Sequence, residues 1–342
     1  MSAPTAPKEQ QGARSGDPAG RLLRRLGRVQ VTQHRKALWT SAVVVVLTVA
    51  VAGGLRGWRE VSGGTLDGIF RGPALLGQLT TLVGASLTLL PLAIGAFVAG
   101  PMIARELESG TYKIAWTQSV SPARWLTATL AVVLAGTVVA LPLLMLAFGL
   151  MRGAFTGADR PYAKFFWHNT TVYQSLGPVA LGYALLGLAA GALIGLLVRR
   201  TLVSAVVTVG AVGAVMLVMQ WLREGLWPTR TRLGDGAAET AEGYQPELWG
   251  HGGGWQTAAG VRVDTEACYA VSAGDGKRES NPDAWTSAFD RCVADRGGVT
   301  QYFDYHSEAD FLPLQLVETA ILLGLAALLT LAAYRALRRL HG

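Results

Sequence analysis

Six long apolar blocks constrain the fold of this chain more than any other sequence feature. They cover about residues 37–55, 75–100, 125–150, 176–198, 201–222 and 312–334. Each is close to the ~20 residues that an α-helix needs to cross the hydrocarbon layer of a bilayer. They are continuous runs, not the alternating segments of about ten residues that build a transmembrane β-barrel. The pattern predicts an all-α polytopic membrane protein with six transmembrane helices.

The composition agrees with this class. Of the 342 residues, 51% are hydrophobic and 15% are charged, whereas soluble domains carry about 25% charged residues. So few charges argue against a soluble enzyme. The net charge of +7 comes mostly from basic residues that flank apolar blocks. A nucleic-acid binder would instead cluster them on one soluble face, so we expect no nucleic-acid partner.

The distribution of Lys and Arg predicts which loops are cytoplasmic. With the N-terminus inside, the inner segments 1–36, 101–124, 199–200 and 335–342 hold 16 basic residues, against 6 in the short outer loops 56–74 and 151–175. The positive-inside rule therefore favours N-in and C-in. Residues 1–36 read as a polar tail ending in either a short interfacial helix or a plain basic flank. About 36 polar and basic residues precede the first apolar core, which favours an uncleaved span over a signal peptide of ~15–30 residues.

The largest polar segment, 223–311, lies outside in this topology. It has 89 residues, carries a net charge of −7 and contains both cysteines, Cys268 and Cys292. Two cysteines in one extracytoplasmic loop are expected to form a disulfide. Two free buried thiols are the alternative. We therefore divide the chain into an N-terminal tail (1–36), five spans with an inner segment at 101–124 (37–222), an outer domain (223–311) and a last span with a basic tail (312–342).

Motifs for chemistry are absent from the sequence. It has no G-x-x-x-x-G-K-[ST], no G-x-S-x-G and no H-E-x-x-H, and its five histidines are scattered. We therefore predict no catalytic residue, no metal site and no cofactor.

Polar groups within the apolar blocks are few. The last block contains Glu318, with Gln315 three residues earlier on the same helix face. One carboxylate is a poor proton pathway. It is expected either to bond polar groups of a neighbouring helix or to contact a polar part of a substrate. A membrane-embedded enzyme would need more convergent polar groups than this pair supplies.

Small residues recur every fourth position in the fourth block, at Gly187, Gly191 and Gly195. Such a face allows two helix backbones to approach closely. The sequence leaves open whether that contact is made within one chain or between two copies.

The inner segment after the second block is the most informative stretch. Its polar residues continue the helix out of the membrane, and Gly110 supplies a helix stop. Ser121 and Pro122 then supply an N-cap and a first helical residue for the third span. A polar helical element with a defined break therefore protrudes between two spans.

This segment resembles a known family. The stretch ARELESGTYKIAWTQSVSPARWLTATL (104–130) is similar to the intracellular segment of type-2 ABC transporter permeases, in particular to a bacterial branch with A-R-E-x-E-x-G-T followed by A-W-T-Q-S-V and R-W. The stretch FLPLQLVETAILLGLAALL (311–329) resembles that branch too. The six-span layout matches along the chain, while the loop 223–311 matches weakly.

The resemblance implies a transmembrane permease subunit of an exporter, not an enzyme, in a bacterial plasma membrane and in contact with membrane lipids. A separate cytoplasmic ABC ATPase subunit would supply ATP hydrolysis, and a second permease subunit, the same chain or a paralogue, would complete the path. The coupling segment that docks on the ATPase would contain Arg105, Glu106, Glu108, Gly110, Thr111 and Trp116. The competing hypothesis is a polytopic membrane sensor or scaffold that binds a ligand through its extracytoplasmic loop.

Overall fold

The protein is described by a computed structural model over residues 35–61, 73–110, 121–153, 165–234, 248–274 and 282–339. Two predictions fall outside these residues. They are the interfacial helix or basic flank before residue 35, and the part of the coupling segment that contains Thr111 and Trp116.

Seven α-helices precede residue 223 in the part of the chain that the structure describes. They are α1 (Arg35–Val61), α2 (Pro73–Ala93), α3 (Gly100–Glu108), α4 (Pro122–Arg152), α5 (Thr170–Ser175), α6 (Pro178–Val198) and α7 (Thr201–Leu222). A π-helical segment, Ile94–Ala99, joins α2 to α3 without a break. It begins three residues after Pro91, which has no N–H for the helical hydrogen-bond ladder. A wider π turn at this place adjusts the register of the helix beyond the proline.

The described part of residues 223–311, which we call the outer domain after its predicted location, contains both strands and helices. Strands β1 (Arg230–Leu233), β2 (Leu248–Gln256) and β3 (Arg262–Val263) are followed by helices α8 (Glu266–Gly274) and α9 (Pro282–Asp295) and by strand β4 (Thr300–Ser307). The strands pair antiparallel in the order β1-β4-β2-β3. A disulfide between Cys268 and Cys292 joins α8 to α9. The prediction of an all-α chain is therefore wrong for this segment, because its described residues include a four-stranded antiparallel sheet.

The last helix is α10 (Phe311–Arg339). Within the described residues, five helical runs are long and apolar enough to cross a membrane: Gly77–Glu108, Pro122–Arg152, Pro178–Val198, Thr201–Gly225 and Glu308–Arg339. In α1 the apolar stretch is shorter, Ala42–Gly54. Five of the six predicted spans are thus present as apolar helices. The remaining one, the first in chain order, lies in α1 and stays a prediction.

Helix α6 lies at the centre of the bundle and is the most buried of the five runs. It contacts α10, the π segment, α3, α7, α2 and α4. The other helices expose apolar side chains on their outer faces, such as Leu202, Leu217 and Trp221 of α7. In a bilayer these faces contact lipid, because the hydrocarbon layer accepts apolar side chains as readily as a protein core does.

The glycine face of α6 makes its contact within the chain. A Cβ atom at Gly187 would collide with the carbonyl oxygen of Pro91, and one at Gly191 with that of Gly95; at Gly195 it would lie 2.6 Å from the carbonyl oxygen of Gly100. The three glycines therefore allow α6 to lie against the backbone of the second span. The contact expected from the sequence runs along the π segment and into the start of α3.

Candidate functional site

Helix α3, which continues the second span, carries the polar element that the sequence singles out. Helix α3 ends at Glu108, and Ser109 forms its C-cap. Gly110 follows with a φ of +73°, a conformation that glycine adopts without the steric cost that a Cβ atom imposes. Arg105 and Glu108 are exposed and Glu106 is half-buried. The predicted helix stop at Gly110 is confirmed by this geometry.

Glu106 connects α3 to the third span. Its Oε2 atom accepts a hydrogen bond of 2.7 Å from the indole Nε1 of Trp125. Trp125 lies in the first turn of α4, which begins as predicted, with Ser121 as N-cap accepting from the N–H of Arg124 and with Pro122 as the first residue. The acidic side chain therefore fixes the distance between the ends of two spans.

Glu108 connects α3 to the fifth span. Its Oε2 atom accepts a bond of 3.1 Å from the backbone N–H of Thr201 and one of 2.8 Å from the Thr201 hydroxyl. Thr201 is the first residue of α7, whose N-terminal N–H groups lack partners within the helix. A carboxylate at this position is favourable, because the N-terminus carries the positive end of the helix dipole. The side chain of Glu108 thus caps α7.

The two-residue turn before Thr201 adds positive charge beside this cap. Arg199 ends α6 in the left-handed region with a φ of 54°, and its N–H donates to the carbonyl oxygen of Gly195. Arg200 lies close enough to interact electrostatically with Glu108. Acidic and basic groups therefore alternate at this end of the bundle.

A second polar cluster lies near the other end of the bundle and is fully buried. Glu318 of α10 forms an ion pair with Arg223, with Nε to Oε2 at 3.0 Å and Nη2 to Oε1 at 3.3 Å. The hydroxyl of Tyr183 on α6 donates a short hydrogen bond to Oε1 of Glu318. The guanidinium group also lies 3.9 Å from the centroid of the Tyr173 ring. Four elements of the chain meet at this ion pair, which we name the buried pair.

Gln315 lies one turn before Glu318 and binds backbone groups. Its Nε2 donates to the carbonyl oxygen of Tyr173 at 2.6 Å, and its Oε1 accepts from the N–H of Val179 at 3.1 Å. Gly177, with a φ of +79°, lets this amide approach, since a Cβ atom there would lie 2.6 Å from Oε1. The side chain of Gln315 therefore joins α10 to the start of α6.

Sequence reasoning found Gln315 and Glu318 but missed their partners. In the sequence Arg223 opens the polar segment 223–311, because it follows the last apolar residue of the fifth span. The signal that could have found it is charge balance: a carboxylate inside an apolar block needs a buried cation or several donors.

Aromatic rings connect the outer domain to the helices above the buried pair. Trp249 of β2 and Phe311 of α10 each make an edge-to-face contact with Trp167, at 5.9 and 6.0 Å between ring centroids. Phe311 makes a third such contact with Tyr173, at 5.7 Å. Aromatic pairs prefer this geometry because the positive ring edge meets the negative face. The sheet is thereby packed against the same helices that hold Arg223.

Three imidazoles extend this contact region. The ring of His168 stacks on Trp249, and the rings of His251 and His306 lie 4.6 Å apart. Burial, together with the neighbouring His306, lowers the pKa of His251, although Glu224 acts in the opposite direction. Burial also lowers the pKa of His168. In the part of the chain that is described, no three His, Cys, Asp or Glu side chains are grouped as metal ligands would be.

Comparison with known proteins finds a family match within the membrane part of the chain. Residues 70–223 match the family described as "ABC-2 membrane transporter related". No curated protein and no solved structure matches the chain. The matched residues include α3, the Glu106 and Glu108 contacts and the glycine face, and they exclude the buried Glu318; the bacterial branch stays a prediction. Residues 70–223 are therefore similar to the membrane part of ABC-2 type transporters, and with its five long apolar helices the chain is a multi-pass membrane protein.

Proposed function

We propose that the chain is the transmembrane permease subunit of an ATP-binding-cassette exporter. In this proposal a second permease subunit, the same chain or a paralogue, completes the translocation path, and a separate cytoplasmic ATPase drives transport. The ATPase docks on the coupling segment around Arg105, Glu106, Glu108 and Gly110, with Thr111 and Trp116 in the residues that follow. The inner location of this segment rests on the excess of Lys and Arg in the predicted cytoplasmic loops.

The observation that carries the proposal is that two carboxylates of one short helix bind the starts of two other spans. Glu106 bonds Trp125 of α4, and Glu108 caps α7. α3 itself continues the second span through the π segment. A displacement of α3 by a docked subunit is therefore transmitted to three membrane helices at once, because hydrogen-bonded and packed elements move together.

The exposure of the segment supports docking as well as transmission. Arg105 is exposed and lies beside the two carboxylates, so the surface offers both signs of charge to a partner. Charged groups at an interface contribute mainly orientation and association rate. A partner that presents a basic side chain to Glu108 would compete with Thr201 for the same carboxylate. Docking would then loosen the cap of α7 and free that span to move.

A second candidate function is a membrane sensor or scaffold that binds a ligand through residues 223–311. It is supported by the outer domain, which has its own sheet and a disulfide between α8 and α9. In this case the aromatic contacts of Trp249 and Phe311 with Trp167 would carry the signal to the membrane helices.

The coupling assignment is tested by purifying the chain with its ATPase and measuring both association and stimulation of ATP hydrolysis. We expect Glu108→Lys and Gly110→Pro to abolish stimulation while the helix content stays unchanged. Thr201→Val is the sharper variant, because it removes a hydroxyl donor to Glu108 and leaves the acidic surface intact. We expect this variant to associate with the ATPase as before and to change the stimulation of ATP hydrolysis.

Thr48→Val is the matched control, since the hydroxyl of Thr48 bonds the carbonyl oxygen of Val44 within α1. Normal stimulation in both Glu108→Lys and Gly110→Pro would show that the ATPase docks elsewhere. Purification from mild detergent without any ATPase would favour the sensor.

A further inference from the structure

A groove on the membrane-facing side of the bundle has the features of a lipid site. It has a volume of about 380 Å³ and lies between α4, α6 and α10. This is within the range of small-molecule pockets, about 300–1,000 Å³. Leucine and alanine side chains form most of its lining, and the polar atoms come from Thr127, Thr330 and Tyr334. Alanines such as Ala131 and Ala327 leave room where larger residues would fill the space.

The groove has the length of one acyl chain in one leaflet. Its lining on α10 runs from Leu323 to Tyr334, which is about 16 Å of helix at 1.5 Å per residue. One leaflet contributes half of a hydrocarbon core that is about 30 Å thick, so its thickness is close to the length of the groove. The lining on α4 starts at Thr127, near the beginning of that helix. The groove therefore extends from one membrane surface to about the middle of the bilayer.

The surface end of the groove is polar and then positively charged. The hydroxyl groups of Thr127 and Tyr334 lie 2.7 Å apart across it. Arg124 lies one helical turn before Thr127 on α4, and Arg338 lies one turn after Tyr334 on α10; both are exposed. Residues three or four apart share one helix face, so both guanidinium groups are on the side of the groove mouth. No acidic residue occurs in 122–152 or in 319–339.

We propose that this groove binds an anionic glycerophospholipid. One acyl chain occupies the apolar part, the ester groups meet the hydroxyls of Thr127 and Tyr334, and Arg124 and Arg338 bind the phosphate. A second copy of the chain is a poorer occupant. Two copies inserted the same way in a membrane bring their basic ends together, and like charges at an interface disfavour association. An anionic lipid supplies the complementary charge. The proposal requires insertion in a membrane but not the partner ATPase.

Native mass spectrometry of the full chain in mild detergent tests this site. The chain is titrated with phosphatidylglycerol and, separately, with phosphatidylcholine. We expect tighter binding of phosphatidylglycerol. A basic residue near an anionic lipid surface contributes about fivefold to affinity. The double variant Arg124→Gln/Arg338→Gln is therefore expected to bind phosphatidylglycerol about 20- to 30-fold more weakly and phosphatidylcholine as before. Both substitutions are on the exposed surface, so the fold is retained.

The apolar half of the site is tested by Ala327→Phe, which fills the groove and is expected to remove one bound lipid of either kind. Val139→Phe, at an exposed position of α4 outside the groove lining, is its matched control, and Arg105→Gln is the control for charge. Equal affinity for the two lipids in the unmodified chain would overturn the proposal. So would an unchanged affinity in the double variant, or a groove occupied by a second copy that Ala327→Phe releases.

Discussion

The two ends of the helix bundle use carboxylates in opposite ways. At one end Glu318 is fully buried and shares its charge with Arg223 and Tyr183. At the other end Glu108 is exposed and bonds one threonine. A buried charge must keep its partners, because an unpaired charge in a low-dielectric interior costs much free energy. An exposed carboxylate can exchange a partner for water or for another protein. One end of the bundle is therefore fixed by charges that must stay paired, and the other is adaptable because its carboxylate can change partners.

Breaking the buried pair is expected to have the largest effect on the free energy of unfolding. Glu318→Leu leaves Arg223 buried without its counter-charge, and breaking such a pair costs about 3–5 kcal/mol. The double variant Arg223→Met/Glu318→Leu removes both charges and is expected to recover most of this loss. The remaining cost is the Tyr183 hydroxyl without its acceptor, about 1–3 kcal/mol. Thermal unfolding in detergent measures both variants.

Asp290→Asn, at an exposed position of α9, is the control for loss of one acidic residue. A double variant that is as unstable as Glu318→Leu would show that Glu318 acts by more than its pairing with Arg223. The ion pair alone would then not explain why this end of the bundle is fixed.

The glycine face of α6 lies between the two ends. A substitution in it is expected to have an intermediate effect on stability. Gly191→Ala places a methyl group against the carbonyl oxygen of Gly95, so α6 must move away from the second span. Overpacking of this kind costs about 1–3 kcal/mol. Gly213→Ala is the matched control, because nothing lies within 4 Å of a Cβ atom there, and it gains up to about 1 kcal/mol from helix propensity. Thermal unfolding compares the two; equal stability would show that α6 is free to shift and that the ends are not rigidly joined.

How far the sequence predicts these features depends on how local their signals are. The apolar runs, the stop at Gly110 and the cap at Ser121 each depend on neighbouring residues, and the structure contains them. The buried pair joins positions 95 residues apart, and nothing in the neighbourhood of Arg223 marks it as a partner of Glu318.

The sheet of the outer domain is hard to predict for a different reason. Strand β2 contains four glycines among its nine residues, Gly250, Gly252, Gly253 and Gly254, and glycine is depleted in strands. Two of them, Gly250 and Gly253, pack against the ring of Phe303 on the paired strand β4, which explains their use here. Such a contact depends on the partner strand and leaves no local pattern.

Mild acid is expected to have the smallest effect on stability, and to affect the outer domain but not the end of the bundle that contains Glu108. Burial and His306 lower the pKa of His251, so the locally unfolded state, in which the imidazole reaches water and leaves His306, binds a proton more readily than the folded state does. The stabilising contribution of neutral His251 is therefore present above the ordinary histidine pKa of about 6.5 and is lost as the pH falls below it. Glu224, on the turn after α7, and Asp304, on β4, act in the opposite direction but do not reverse the shift. Carboxylates ordinarily titrate near pH 4, so the end of the bundle that contains Glu108 stays unchanged in this window.

Hydrogen–deuterium exchange at about pH 7.5 and about pH 5.5, corrected for the intrinsic rate, measures this difference. We expect β2 and β4 to exchange faster at the lower pH, and α3 with the start of α7 to keep its protection. His251→Phe keeps a ring of similar shape beside Trp249, whose centroid lies 4.6 Å from the imidazole, and removes the titrating group. It is therefore expected to reduce the response at the outer end. An equal response in His251→Phe would exclude this imidazole as the cause. Equal loosening of α3 would show that acid acts on the whole bundle, and the two ends would then not differ in the way their charges are held.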